Sequence, residues 1–462
     1  MDEQTLLTDQ AIQEFIVNGY TIVQADYPSD FHEGIRLKLD QMFETEGNLG
    51  NNVLPRIPEI GRVFDHPNVK GALTSLLGED YVLNPHRHAH ANPAGSKGQS
   101  WHKDCYVYDR NLRHPRFDWV LAFYYPQDTM EDMGPSAIIP GTQFDKTISS
   151  PVAAETTEPD LNICGPAGTV ALIHFDAWHR ASANTSSKTR YMLKFQFARM
   201  ARREGPTWEH QSRLWTIGTE GSSPTVARDV WDWMCGASPS SNGGRVSTSQ
   251  LETDYVSAET DTGVSSLLDK MRQDSLATHE ETDAKTADNA HGTNPTPCTA
   301  ALALSHAGER ALAPVMSLME DDEWWIRALA ANHLYRSGVS TGNPIDALGL
   351  LANDEHWWVR RNALEALGEV DREGSAERMT AGLVDEDYRV RRSACIGIVK
   401  GTREAPHTVE NLTAVLDDEN RYNRFYAALA LSRLQSNEAT ETLLNSLLIS
   451  RWCPITTRDN TY

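Results

Sequence analysis

The sequence predicts a multidomain α+β chain in which a β-sandwich or jelly roll with N-terminal helices is followed by an all-α solenoid. Three observations carry this reading. Residues 1–235 hold short strand-like runs separated by Gly and Pro, residues 236–299 are poor in apolar residues, and residues 300–450 repeat with a period of 31 to 33 residues. At roughly 150 residues per domain, a chain of 462 residues has room for two or three folded units.

The opening stretch LTDQAIQEFIVNGYTIV has Thr8 as a helix cap, an amphipathic helix, Gly19 as its stop and a strand over Tyr20–Val23. A mixed helical stretch ends at LLGEDYV. The strand-like runs follow: VLNPHRHAHA, WHKDCYVY, FDWVLAFYY, SAIIP, GTVALIHF and TRYMLKFQF. Short strands spaced by turns and preceded by helices give the jelly roll with a helical layer. Residues 236–299, rich in Ser, Thr, Gly, Asn and Asp, read as an acidic linker that buries too little to offset the entropy of ordering. Within it, Val264 to Met271 has the apolar spacing of a short docking helix.

The repeat aligns on Arg327, Arg360, Arg391 and Arg424. An Asp stands six residues before each (Asp321, Asp354, Asp385, Asp418), an Ala three after (Ala330, Ala363, Ala394, Ala427), and an apolar residue seven after (Leu334, Leu367, Ile398, Leu431). Helical spacing at that period marks an α-solenoid in which each unit buries its face on its neighbours. In this reading the Asp caps a helix and the small Ala lets helices approach. The segment resembles short HEAT-like repeats over residues 300–450, with 451–462 as a C-terminal tail. Of the pairs Trp324–Trp325 and Trp357–Trp358, one member must face inward on any helix, so the solenoid core is their expected place, with a partner-binding stripe as the alternative.

The formal net charge of -22 would repel a phosphate backbone, which excludes nucleic acid as a partner. No window approaches the roughly 20 apolar residues of a membrane span, and MDEQTLLTDQ lacks the features of a signal. The six cysteines are far apart, with no CxxC pair, so free thiols and a cytoplasmic location are expected.

Chemistry concentrates in WHKD. On a strand alternate side chains share a face, so His102 and Asp104 can reach one metal ion, and His179 can supply a third ligand from another strand. Two imidazoles and a carboxylate on one face leave the opposite face open for a bidentate cosubstrate and dioxygen, the arrangement of non-haem Fe(II) oxygenases. Arg190, eleven residues beyond His179, carries a guanidinium suited to the far carboxylate of 2-oxoglutarate. His174–Asp176 is a second HxD that competes for the role by periodicity. His86, His88 and His90 alternate on a strand expected to lie beside the HxD strand, where they could bind a second metal, orient substrate or hydrogen-bond the metal ligands, a structural role for at least two being favoured over a second metal because no carboxylate or cysteine joins them at ligand spacing. Trp119 faces either the cosubstrate or the core.

Residues 1–235 resemble the phytanoyl-CoA dioxygenase family of Fe(II)- and 2-oxoglutarate-dependent oxygenases. The resemblance rests on His102, Asp104, His179 and Arg190 in order, on the Gly134 and Pro140–Gly141 turn of MGPSAIIPGTQ, and on PAGTVALIH. It implies a double-stranded β-helix, with His102, Asp104 and His179 as catalytic iron ligands and Arg190, Ser182, Asn184 and Trp119 as cosubstrate contacts. It favours His179 over His174, because only His179 has an arginine at the family distance. Three positions depart from the pattern. Ala181 replaces a small hydroxylated residue and leaves Ser182 next to it, Gln143 replaces a histidine, and Met133 replaces an asparagine.

The implied reaction hydroxylates an unactivated C–H bond of a small-molecule metabolite while dioxygen decarboxylates 2-oxoglutarate to succinate. The carboxylate of Asp104 favours hydroxylation over halogenation, since halogenating relatives lack it. The alternatives are a protein hydroxylase, or a non-catalytic scaffold whose solenoid recruits a protein partner. Docking of the HEAT-like repeats within the chain is a further role for the solenoid.

Overall fold

The computed structural model of the chain describes residues 5–104, 114–145, 148–217, 223–236, 250–272, 296–337, 343–370, 374–401 and 404–449. The chain divides into two compact units, the first drawn from residues 1–104 and 115–237, the second chiefly from 238–451. Among the described residues no helix is long and apolar enough to cross a membrane.

In the first unit Thr8 caps the helix Asp9–Asn18 by accepting from the Ala11 amide, and Gly19 ends it at φ 77°. Among the described residues nine strands follow in chain order: β1 Tyr20–Gln24, β2 Tyr81–Leu83, β3 His88–Asn92, β4 Trp119–Tyr124, β5 Ser136–Ile138, β6 Leu161–Asn162, β7 Thr169–His174, β8 His179–Ala181 and β9 Arg190–Arg199. They form two antiparallel sheets. The larger has the order β1-β7-β4-β9-β2 with β3 also on β9, and the smaller has the order β6-β5-β8. Helices Ser29–Thr45 and Pro67–Leu77 bury Leu39, Leu73 and Leu76 in one core with Val120, Leu172 and Phe195 of the larger sheet. Fully burying side chains of this size contributes about 1.5–3 kcal/mol each before the entropy of ordering is subtracted.

Two expected strands differ. VLNPHRHAHA is not one strand but β2 and β3, because Pro85 has no amide to give to a ladder; both pieces pair with β9, Leu83 opposite Phe197 and His88 opposite Lys194. The histidine strand therefore lies on β9 and not beside the HxD segment. Of WHKDCYVY, residues 101–104 are described: His102 bridges His179 and the Trp101 amide donates to the Pro151 carbonyl at 2.9 Å, while residues 105–108 lie outside the described residues.

In the second unit the helices Trp324–Ser337, Trp357–Val370, Tyr388–Val399 and Arg421–Leu434 stack successively. Ala330, Ala363, Ala394 and Ala427 are buried, as are Leu334, Leu367, Ile398 and Leu431. The repeat aspartates do not cap these helices. Asp387 and Asn420 cap two of them, and the repeat Asp stands earlier, in a turn where its carboxylate accepts the amide two residues on, as Asp354 does from His356 and Asp385 from Asp387.

The same carboxylate takes the arginine of the preceding repeat. Arg327 grips Asp354 at 2.7 and 3.0 Å, Arg360 grips Asp385 at 2.7 and 2.8 Å, and Arg391 reaches Asp418 at 2.6 Å. Each arginine also donates through Nη1 to the carbonyl of its own repeat's Asp. This ladder explains why Arg and Asp recur together at a fixed spacing. Asp385→Ala strips Arg360, whose side chain is 10% exposed, of its bidentate partner. We expect it to lower the solenoid's unfolding free energy by about 3 kcal/mol, read as an earlier helical transition of the full chain in urea.

Trp325 and Trp358 are buried, so one member of each pair faces inward. Trp324 and Trp357 are half-buried. Trp324 stacks on His356 at 3.7 Å and 14°, and Arg389 stands over Trp357 at 3.2 Å. The segment read as a linker contains the helices Gln250–Ser257 and Asp261–Met271. The second is capped by Thr260 and buries Val264, Leu267 and Met271, one apolar stripe at helical spacing.

Candidate active site

His102 and His179 are neighbours because each backbone amide donates to the other's carbonyl, both at 3.0 Å. Their rings lie 4.5 Å apart. Asp104 stands two residues on, with Oδ2 3.9 Å from His179 Nε2. One ligand atom from each of the three lies within 4.8 Å of the others, and among the described residues no other group of His, Cys, Asp and Glu does so.

The local backbone fixes the state of the imidazoles. His102 Nδ1 lies 3.0 Å from the Ser100 carbonyl, and His179 Nδ1 lies 3.0 Å from the Ala177 carbonyl. A carbonyl only accepts, so each Nδ1 carries a proton, which leaves each Nε2 as the ring atom for a metal. Burial, with His102 next in weight, pushes the His179 imidazolium down to about 3, so the ring is neutral. Burial opposes the charge on Asp104, but Lys194, His179 and His102 outweigh it and hold the carboxyl below its usual range. Two imidazoles and a carboxylate with convergent donor atoms form a set that fits a divalent transition metal.

Arg190 begins β9 and is fully buried. Its Nε and Nη2 donate to the Gly134 carbonyl at 2.9 and 2.5 Å, while Nη1 is buried without a partner. Asn92 Nδ2 donates to the same carbonyl at 2.9 Å. Gly134 sits at φ 67°, and a Cβ there would lie 2.3 Å from Asn92 Nδ2, so only glycine presents its carbonyl in this way. Ser136, on β5, has a buried Oγ without a partner. Arg190 and Ser136 line one cavity of about 140 Å³ with His102, His179, His90 and Lys194. A buried cation with an open Nη1, beside an open hydroxyl, suits a carboxylate.

The remaining expected cosubstrate contacts lie elsewhere. Ser182 donates to Asn162 Oδ1 at 2.9 Å. Asn184 donates to the Asn92 and Lys188 carbonyls at 2.7 and 2.8 Å and accepts from Ser186, shaping the turn before β9. Neither lines the cavity, and Trp119 does not either. Trp119 packs edge-on against Phe175 at the start of β4; the residue of that strand that reaches the cavity is Phe123, four places on, which also sits edge-on to His179.

His174, the competing histidine, is buried among Phe15, Phe117 and Phe144 and accepts from the Asp176 amide. Gln143 donates to the Ile16 and Val17 carbonyls and ties its turn to the first helix. His88 Nε2 lies 3.0 Å from Asn48 Nδ2, whereas His90 lines the cavity and is pulled down to about 2 by burial and Lys194. Ser136, Gln99 and Lys194 were not singled out by the sequence. For Lys194 a signal existed: Arg190, Met192 and Lys194 alternate on β9 and all three line the cavity.

Residues 36–192 match the family model of phytanoyl-CoA dioxygenase, and residues 312–399 and 376–451 match HEAT repeats. No curated protein matches the chain in sequence. Similar solved structures include SnoK, a non-haem alpha-ketoglutarate-dependent carbocyclase from nogalamycin biosynthesis, at 17% identity over 42% of this chain and 85% of that one, with a TM-score of 0.35. HygX from Streptomyces hygroscopicus, solved with nickel and 2-oxoglutarate bound, aligns at 13% identity over 42% and 88%, TM-score 0.35. AviO1 from Streptomyces viridochromogenes aligns at 15% identity over 42% and 96%, TM-score 0.35. The match of residues 36–192 to the phytanoyl-CoA dioxygenase model, about a third of the chain, supports an Fe(II)- and 2-oxoglutarate-dependent oxygenase, and the chain is also similar to HEAT repeats over residues 312–451.

Proposed function

We propose that the chain hydroxylates an unactivated C–H bond of a small-molecule metabolite, with Fe(II) held by His102, Asp104 and His179 and the far carboxylate of 2-oxoglutarate held by Arg190. The observation that carries this reading is the open, buried Nη1 of Arg190 in the same cavity as the two metal-facing imidazoles. In this reading the two sheets of the first unit close as a double-stranded β-helix, with the site at its mouth.

Bound iron and 2-oxoglutarate supply the oxygen chemistry: dioxygen gives one atom to succinate, formed with carbon dioxide, and one to the substrate as a hydroxyl. The chain's own residues set the stage for that. His102 and His179 present Nε2 to the metal, His179 without needing to lose a proton, and Asp104 supplies the negative charge. Arg190, fixed by Gly134, holds the cosubstrate at its far end, and Ser136 offers a neutral hydrogen bond beside it. Met192 and Phe123 give the cavity an apolar lining that excludes water from the reacting bond.

Succinate release by the full-length protein across a panel of amino acids, natural products and other metabolites tests the reading. One compound should stimulate succinate formation and gain one oxygen atom by mass. Stimulation by a polypeptide alone would replace the metabolite with a protein substrate, and no turnover in any arm would sink the enzymatic reading. We also propose that the HEAT repeats serve as a docking module, either for a protein partner or within the chain. The free thiols of Cys164, Cys235 and Cys395 accord with the cytoplasmic location we propose.

A further inference from the structure

We propose that Lys194 is a positioning residue of the metal site, an ammonium that holds the metal-facing oxygen of Asp104 until a divalent cation takes it. This rests on the reading of His102, Asp104 and His179 as ligands. Lys194 follows Arg190 by four residues on β9, so the two side chains share a face of the strand, and both line the cavity. Its Nζ lies 2.9 Å from Asp104 Oδ2. That same oxygen is the one 3.9 Å from His179 Nε2.

The two side chains are 10% and 8% exposed, so this is a nearly buried ion pair. An isolated carboxylate at that depth is costly, and the ammonium offsets the cost. A divalent cation and the ammonium then compete for one oxygen, and their like charges repel strongly at low dielectric. Loading the metal requires the Lys194–Asp104 contact to loosen. The ammonium has somewhere to go, because Lys194 already faces the cavity beside His90, whose Nε2 is buried without a partner. Lys194 thus stabilises the metal-free protein and weakens its hold on the metal, keeping the carboxylate in place between cycles of loading.

The test uses the full chain and Co(II) as the probe, titrated anaerobically and followed by its visible absorption. Lys194→Met should tighten Co(II) binding about tenfold, lower the melting temperature of the metal-free protein and enlarge the rise in melting temperature on adding Co(II). Lys194→Arg keeps a cation at the site and should stay near the original affinity. A Lys194 that only supported the fold would leave Co(II) affinity unchanged or weaker in the Met variant, and that result overturns the proposal. A Met variant that folds only with Co(II) supports it. One that folds neither with nor without Co(II) overturns it, since the metal then fails to replace the ammonium. If the unaltered protein binds no Co(II), the ligand assignment itself has failed, which separates that failure from this one.

Discussion

His179→Ala should abolish metal binding and with it succinate release, whereas His174→Ala should leave both in place. The two histidines are five residues apart, His174 ending β7 and His179 beginning β8, and they meet different surroundings. His179 begins β8, is locked to His102 by a reciprocal pair of backbone hydrogen bonds, and has its Nδ1 proton committed to the Ala177 carbonyl. Removing its imidazole takes away one of three donors, and no other histidine among the described residues stands close enough to Asp104 to join the group. Loss of an outer partner of a metal ligand typically costs 10–100-fold in affinity, so loss of the ligand itself should cost about a hundredfold or more. His174 instead fills a space between Phe15, Phe117 and Phe144. Its replacement leaves a cavity, and the expected result is a loss of about 2–4 kcal/mol in stability with the metal affinity intact. Co(II) titration and thermal melting of the two variants check both halves. Metal binding lost in His174→Ala and retained in His179→Ala would transfer the site to the other HxD pair.

What was legible in the sequence was whatever depended on short spacing. Alternation on an extended segment brings His102 and Asp104 together whether or not that segment is paired along its length, so the pair was readable although His102 alone of WHKD makes a strand bridge. The solenoid was readable because its repeat counts itself. Less legible were features set by pairing between distant segments. The placement of Lys194 opposite His88 and Phe123 depends on the register of β9, which no local pattern states. The broken course of the histidine strand depended on Pro85 and on β9 being long enough to pair with both pieces. Trp119, open in the sequence to either the cosubstrate or the core, does not line the cavity, because side-chain parity tells which face a residue takes but not how far along the strand the cavity lies. The repeat aspartates looked like helix caps, since an Asp ahead of an apolar run has that signature. Their use as acceptors for the preceding repeat's arginine appears only when two repeats are stacked.

Arg190→Lys should raise the apparent constant for 2-oxoglutarate by about ten- to a hundredfold while leaving metal affinity measured without cosubstrate close to normal. The guanidinium does two tasks at once. Nε and Nη2 are spent on the Gly134 carbonyl, which fixes the plane of the group, and Nη1 remains buried and open toward the cavity that the imidazoles line. A lysine keeps the charge but has one nitrogen, so it can satisfy Gly134 or reach a carboxylate, and it lacks the rigid fork that aligns two hydrogen bonds. A hydrogen bond to a charged group contributes about 1.5–3 kcal/mol, which corresponds to roughly ten- to a hundredfold in binding. Ser136→Ala, removing a neutral donor beside the same carboxylate, should act in the same direction by a smaller factor, about three- to tenfold. Neither change touches His102, Asp104 or His179, so the metal titration serves as the internal control. An unchanged constant for 2-oxoglutarate in Arg190→Lys would remove Arg190 from the cosubstrate site and leave its open Nη1 without an assigned ligand.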